Sequence, residues 1–558
     1  MAPPSDARPR DLAWWETRAF AYAMILVAAV PLLWPAIPPL TDLMGHMGRY
    51  RVQIDLPHSA DLQRYWNFEW ALIGNLGVDL FVQLLGPLIG LEPAVKLVVL
   101  MIPPLTVAGM LLLAREEHGR VPPTTLFALP LAYGYPFQFG FVNFALGMSL
   151  ALLAFAFWLR LARQNWLIRW RPLIFLAIGF VIWVVHSFAW GTLGLLCFIA
   201  EFVRARRAKT AMLPAIWRAG IACLPLAPPA LLLLPWRGSE APKGTFDWFN
   251  WWAKWNWLRS ILRDRWMAFD LASAGVVAAV ILSGFPRFWR RFDGTLGAAT
   301  LVLALTFVLL PRVLLSSAYA DMRLAPYAVA FAVLALKPAR NRKLAGIVAA
   351  LGLAFVLVRT AATTISFAKY EAGYETQLPA LDHVATGSRV MVLVATPCSG
   401  VWSTRRTEHM GSMAIVRRNA FTNDQWVVPG AQLLTLRYHA SGRYFSHDPS
   451  QLLRLPECRK RGEALFDATL RLFPRNVFDY LWMIDVPRSR WPRGDKGLIE
   501  VWNGGESGVL YRVPDPIPAP PPPPQPPVEA NGADNGSDDG SATASRETPN
   551  GTDSRVTR

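Results

Sequence analysis

The chain is poor in cysteine and poor in charge. Only 4 of its 558 residues are cysteine, and charged side chains make up 17% against 53% hydrophobic ones. Four thiols cannot frame a disulfide-built secreted domain. Cys197 and Cys223 fall inside apolar runs, so Cys398 and Cys458 are the one pair whose setting permits a bridge. So little charge among so many apolar residues excludes a soluble globule with an ordinary polar surface. A phosphate-cradling glycine loop, a dinucleotide-binding glycine pattern, a nucleophile-elbow serine and a Cys-x-x-Cys pair are all missing, so nucleotide hydrolysis and zinc chemistry lack support. The absence of an internal repeat argues against a repeat-built secondary transporter.

What the chain has instead is a series of apolar runs of roughly 15–25 residues, from Phe20 to about Ala362, near the length a helix needs to cross hydrocarbon. They predict an all-α polytopic membrane domain of about 11 transmembrane helices, at 19–40, 94–114, 122–136, 141–159, 172–185, 188–202, 211–236, 268–285, 295–315, 324–337 and 344–362. The first is read as an uncleaved span rather than a signal peptide. Gly74–Leu91 is apolar but contains Asp79 and Gln83, so it reads as an interfacial or re-entrant helix. Pro172–Ala200 reads as two short helices meeting near His186 and Ser187.

The formal charge of +17 comes from short basic clusters between the runs, such as Arg115/Arg120, Arg163/Arg169/Arg171, Arg204/Arg206/Arg207, Arg287/Arg290/Arg291 and Arg340/Arg342/Lys343. Alternate loops carry them, which is the pattern of topology signals and not of a nucleic-acid face. Residues 1–18 are then cytoplasmic and 19–366 form the polytopic domain, with a first outer loop over 41–92. Residues 367–513 form an extracytoplasmic mixed α/β domain, with strands at Arg389–Ala395 and Tyr480–Val486 and helices at Gln451–Leu455 and Glu463–Leu472. The Pro-rich and polar stretch 514–558 has too little apolar surface to order and reads as a disordered tail. A bacterial inner membrane is the expected location.

Three outer segments carry the residues that chemistry would use. Past the first span, Asp42, His46 and Arg49 fall at i, i+4 and i+7 of a helix, so a carboxylate, an imidazole and a guanidinium share one face at the membrane boundary. Asp42 suits a general base for an acceptor hydroxyl, His46 could orient it or share a cation with it, and Arg49 could grip a phosphate. Asp321 and Arg323 lie between two apolar runs on the predicted outer side, where Arg runs against the positive-inside bias. Trp248, Trp251, Trp252, Trp255 and Trp257 crowd one stretch with Lys254, as an interfacial helix or a sugar- and lipid-facing surface would require. His186 sits where two short helices meet. Asp55, His58 and Asp61 are metal-compatible residue types with broken spacing, and Gln138 and Asn143 suit either a sugar pocket or turn satisfaction.

A span, an outer loop opening on an acid (Asp42, then His46 and Arg49), many further spans and a late external domain together resemble the GT-C superfamily of integral-membrane glycosyltransferases, over about Ala19 to Val513. That resemblance implies transfer of a sugar from a polyprenyl-phosphate-linked donor in the membrane lipid to an acceptor at the outer face, with inversion at the anomeric carbon. Asp42 matches the superfamily's first-loop acid, although many members carry paired acids where this chain has Asp42-Leu43. The expected catalytic residues are Asp42 and His46, and the expected substrate-binding residues are Arg49, His186, Lys254, Asp321 and Arg323. Nucleotide and nucleic acid are not expected, and a divalent cation, the sugar and the acceptor are left open. The competing readings are a transporter or flippase without covalent chemistry and an envelope assembly protein.

Overall fold

The computed structural model describes residues 12–164, 168–233, 244–285, 292–315, 317–338, 341–396, 401–428, 432–446, 450–455 and 466–523. The Arg287/Arg290/Arg291 cluster, Arg340, Cys398, Cys458 and the tail beyond 523 lie outside them. The chain is mostly helical, with a mixed sheet near its C-terminal end.

The helices that matter for the argument are α1 (Arg18–Val27), α2 (Leu43–Asp55), α3 (Gly77–Ile89), α4 (Leu91–His118), α5 (Val142–Gln164), α6 (Arg171–Val185), α7 (Ser187–Arg207), α8 (Met212–Cys223), α9 (Trp251–Arg259), α10 (Met267–Leu282), α11 (Gly294–Leu309), α12 (Ala320–Leu334) and α13 (Arg342–Gln377). Among the described residues α4, α5, α7 and α13 are long and apolar enough to cross a bilayer. The other expected spans are shorter, and proline accounts for much of the difference. Pro123–Tyr133 is a 3-10 helix, not an α-helix, because Pro122, Pro123 and Pro130 remove backbone donors. The 211–236 run stops being α-helical at Cys223, ahead of Pro225, Pro228 and Pro229. The first span also breaks, with α1 ending at Val27 and a separate turn at Val30–Leu33. The expected pair of helices is present as α6 and α7, separated by His186 in an extended conformation.

One face of the bundle collects the basic ends. Arg207 pairs with Glu117 at 3.5 Å and Asp293 at 3.3 Å, Arg171 with Glu201 at 2.9 Å, and Arg120 with Glu16 at 3.9 Å. The N-terminal end of α1, the C-terminal ends of α4 and α7 and the start of α11 therefore lie side by side, as alternating basic loops require.

At the other end stands the sheet, with β2 (Arg389–Thr396), β3 (Phe421–Thr422), β5 (Leu452–Arg454), β6 (Tyr480–Ile484), β7 (Ile499–Asn503) and β8 (Gly508–Arg512). Its order is β3-β2-β6-β8-β7, with β5 also on β2. Strand β2 pairs in parallel with β3, β5 and β6, while β8 is antiparallel to β6 and β7. The expected strands are there, but Gln451–Leu455 is not helical: Leu452–Arg454 pairs along β2, where Val394 meets Leu452. The helix expected over Glu463–Leu472 is present as Phe466–Leu472. In addition β1 (Trp66–Phe68), from the first outer loop, pairs with β4 (Leu434–Leu436), so loop and sheet region are joined directly.

Helix α2 is buried between the two parts. Leu43, Met44, Met47 and Tyr50 are almost wholly covered, and they share one core with Val390, Val392, Met410, Met413 and Trp482. Each such side chain stabilises by about 1.5–3 kcal/mol relative to exposure. The approach is possible because α2 has glycine where the other side is closest: a Cβ on Gly45 would lie 1.9 Å from the Trp426 ring, and one on Gly48 2.7 Å from Gln425. The face expected to carry Asp42, His46 and Arg49 at the membrane boundary is instead packed closely under the sheet region.

A second tie runs along α13, which continues well past the predicted end at residue 362. Arg359 donates to Asp270 at 2.7 Å, Ser366 to Asp264 at 2.9 Å, and the Tyr370 and Tyr374 hydroxyls to the carbonyls of Thr404 and Arg406, each at 2.9 Å. Arg406, fully buried, pairs with Asp264 at 3.3 Å and donates to Oε1 of Gln138 at 2.6 Å. Arg406→Ala should therefore lower stability by about 3–5 kcal/mol, since the Asp264 charge stays buried without its partner. Thermal unfolding of the detergent-solubilised chain checks this, and an unchanged midpoint would show that the pair does not hold the sheet region against the helices.

Candidate functional site

The site is built around Asp42, the residue preceding α2. Its backbone is fixed from both directions: its N–H donates to the Phe139 carbonyl at 2.9 Å, and its own carbonyl accepts from the His46 N–H at 3.1 Å. The turn that supplies Phe139 can come this close because Gly140, at φ +103, has no Cβ; one would sit 2.7 Å from the Asp42 nitrogen.

Around the Asp42 carboxylate the fold gathers cationic and imidazole groups from distant segments. The Arg323 guanidinium, from the first turn of α12, acts electrostatically on both Asp42 and His186. It rests 4.4 Å above the Phe141 ring, donates to Ser317 Oγ at 2.9 Å, and has no partner for its Nε–H among the described residues. His186 caps α7, its Nδ1 accepting from the Phe188 N–H at 3.1 Å, which places the ring proton on Nε2. Phe144 spans the space between, 5.5 Å from the His186 ring and 6.0 Å from Arg323. His409, from the loop after β2, brings Nε2 to 3.8 Å from Asp42 Oδ1.

His46 lies one turn along α2, its ring edge-on to Trp426 at 5.2 Å and stacked with Tyr50 at 6.2 Å. Burial holds its imidazole well below the usual histidine range, helped by the nearby Arg49 and His409 charges. It is therefore a neutral ring at physiological pH, and its Nδ1 has no hydrogen-bond partner among the described residues.

The remaining predicted residues have other work. Arg49 shares the α2 face but is buried against Asp79, in a cluster where Asn143 also donates to Asp79 at 3.0 Å and Gln53 to the Asp79 carbonyl at 2.9 Å. That neutralises the acid that seemed out of place in the apolar run. Lys254 uses all three N–H groups, on the Phe307 and Leu310 carbonyls at 2.8 Å each and on Asp321 at 3.2 Å. An ammonium there satisfies the C-terminal end of α11 and is not presented to a ligand. Asp321 is thus turned away from Arg323. Asp55 and Asp61 are engaged by Arg51 at 2.7 Å and Arg64 at 3.1 Å, and no group of three or more His, Cys, Asp or Glu suited to a metal occurs among the described residues. Trp248, Trp251, Trp252 and Trp255 on and beside α9 are exposed, as an interfacial helix requires.

Sequence reasoning missed His409 and Trp426. A signal was available: Arg405, Arg406, Glu408 and His409 crowd the loop that follows the carboxyl end of a buried parallel strand, where α/β sheets place ligand-binding groups.

No family model, no curated protein and no solved structure matches the chain. The functional reading therefore rests on the chemistry of the gathered side chains.

Because the unfolded chain protonates His46 near pH 6.5 and the folded chain resists it, the unfolded state holds the extra proton below that value and stability falls as pH drops. His46→Gln should flatten this slope in urea unfolding between about pH 7 and pH 5. An identical slope in the variant would mean that His46 titrates freely in the folded state.

Proposed function

We propose that the chain is a membrane glycosyltransferase of the GT-C type, moving a sugar from a polyprenyl-phosphate-linked donor to an acceptor at the outer face. The observation that carries this reading is that Arg323 lies within electrostatic reach of both Asp42 and His186, with Phe144 between its guanidinium and the His186 ring. A carboxylate within reach of a guanidinium can take a proton from a hydroxyl. A guanidinium framed by Phe141 and Phe144 with an unused N–H is a donor for a phosphate oxygen.

In the reaction, the acceptor oxygen bonds to the anomeric carbon as its proton passes to Asp42. The bond from that carbon to the phosphate oxygen breaks, and the electron pair leaves with the lipid phosphate beside Arg323. His186 Nε2–H supplies a second donor on that side. A donor already held in the bilayer gains from restricted geometry and needs no nucleotide pocket. Arg49, Asp321 and Lys254 support this arrangement by stabilising the helices that carry it. Against a carrier without covalent chemistry stands the pairing of the most buried charges, Arg49–Asp79, Arg359–Asp270 and Lys254–Asp321, which are used within the fold.

Purified full-length chain in lipid vesicles, supplied with a radiolabelled polyprenyl-phosphate hexose and membrane acceptor, should release polyprenyl phosphate. Asp42→Asn should lower that turnover by at least about 100-fold with melting unchanged, and Arg323→Gln should weaken donor use. Normal turnover by Asp42→Asn would reject the assignment.

A further inference from the structure

We infer that His409 is a positioning residue for the Asp42 carboxylate, so that the loop after β2 completes a site begun by the polytopic region; this rests on Asp42 acting as the base. A carboxylate has two equivalent oxygens and turns easily about its last bond, so a base that must meet an acceptor from one direction gains when one oxygen is engaged. His409 stands on the Oδ1 side, with Nε2 at 3.8 Å. Contacts of this kind are long before ligand binds and close to hydrogen-bond length in the reacting complex. A proton on Nε2 would then be donated to Oδ1 and fix the rotation of the carboxylate toward the acceptor.

The ring is held for this task. It is 6% exposed, and Trp426 lies against it with ring centres 4.4 Å apart. Trp426 in turn is edge-on to His46 and seated against Gly45, so one indole touches both imidazoles and the helix that Asp42 begins. The backbone on either side is pinned, with Arg406 buried against Gln138 and Asp264, and the Ser412 N–H donating to the His409 carbonyl at 3.2 Å. A side chain needed only to fill this space would not have to be an imidazole facing a carboxylate.

Two measurements on the full-length chain in detergent test this. In the first, the ring carbons of its 8 histidines are labelled and each is followed through a pH titration by NMR. Among the described residues, Asp42 and His46 are charged or titratable groups that face His409, with Arg323 acting on Asp42 and Arg49 on His46. Asp42→Asn should lower the His409 midpoint by about one pH unit or more, because the anion that favours the imidazolium is gone. A His409 titration indifferent to Asp42→Asn overturns the proposal.

The second measurement is release of polyprenyl phosphate from a polyprenyl-phosphate hexose. H409A should lower kcat by about tenfold or more with the donor KM unchanged, and H409Q, which keeps an N–H near the Nε2 position, should recover most of the loss. Wild-type kcat in H409A alongside an inactive Asp42→Asn removes His409 and leaves Asp42 as the base. H409Q no better than H409A, with both melting normally, also counts against positioning. Full turnover by Asp42→Asn ends the glycosyl-transfer reading and the positioning role with it.

Discussion

Helix α2 meets the segment from Ser412 to Trp426 through Gly45 and Gly48, and the candidate site exists only because that contact is so close. Any side chain at Gly45 would occupy the space of the Trp426 ring. The indole in that space separates His46 from His409 and keeps both near the start of α2. Two missing Cβ atoms therefore bring the first outer loop and the sheet region into one core, and they set how near the loop after β2 comes to Asp42. The cost is the conformational freedom that glycine loses inside a helix, of the order of 1 kcal/mol per residue. Burial of Met44, Met47 and Tyr50 against Val390, Val392 and Trp482 offsets it.

Charge is used in two distinct ways. Away from the site, buried acids have dedicated partners: Asp79 with Arg49, Asp270 with Arg359, Asp264 with Arg406, and Asp321 with Lys254. Each pair joins segments far apart in the chain, so each fixes the relative placement of two elements as well as neutralising a charge. Arg323 differs. Its hydrogen bond is to a neutral hydroxyl, its frame is aromatic, and its electrostatic neighbours are Asp42 and His186. A cation held in this way has donor capacity left for an incoming anion, which the four structural pairs do not.

The coarse architecture, a mostly helical chain with long apolar helices and a late mixed sheet, was legible because hydropathy runs report on helix length and burial directly. The break at His186, the strand at Arg389 and the buried strand at Tyr480 followed from local pattern alone. Where the reading failed, the deciding partner lay elsewhere in the chain. Gln451–Leu455 looks helical by itself and is a strand because β2 offers an open parallel edge. Lys254 looks like a phosphate ligand until the carbonyl end of α11 is placed beside it. Arg49 has the right spacing from Asp42, but Asp79, from an apolar run read as interfacial, takes its charge. Pro122 and Pro130 were visible, yet their effect on the 123–133 run is a matter of backbone hydrogen bonding that hydropathy does not register. His409 is the instructive case: loop position after a parallel strand pointed to it, and periodicity did not.

The unbroken course of α13 has a geometric consequence. Its 36 residues make a rod about 54 Å long, against a hydrocarbon thickness of about 30 Å. The far part of the rod bears the two tyrosines that grip the Thr404–Arg406 backbone. The distance of the His409 loop from the apolar stretch of α13 is therefore dictated by a stiff spacer instead of a slack linker. If α13 crosses a bilayer, as its length and composition allow, a thinner or thicker one must deform around the protein, while the spacing along the rod stays constant.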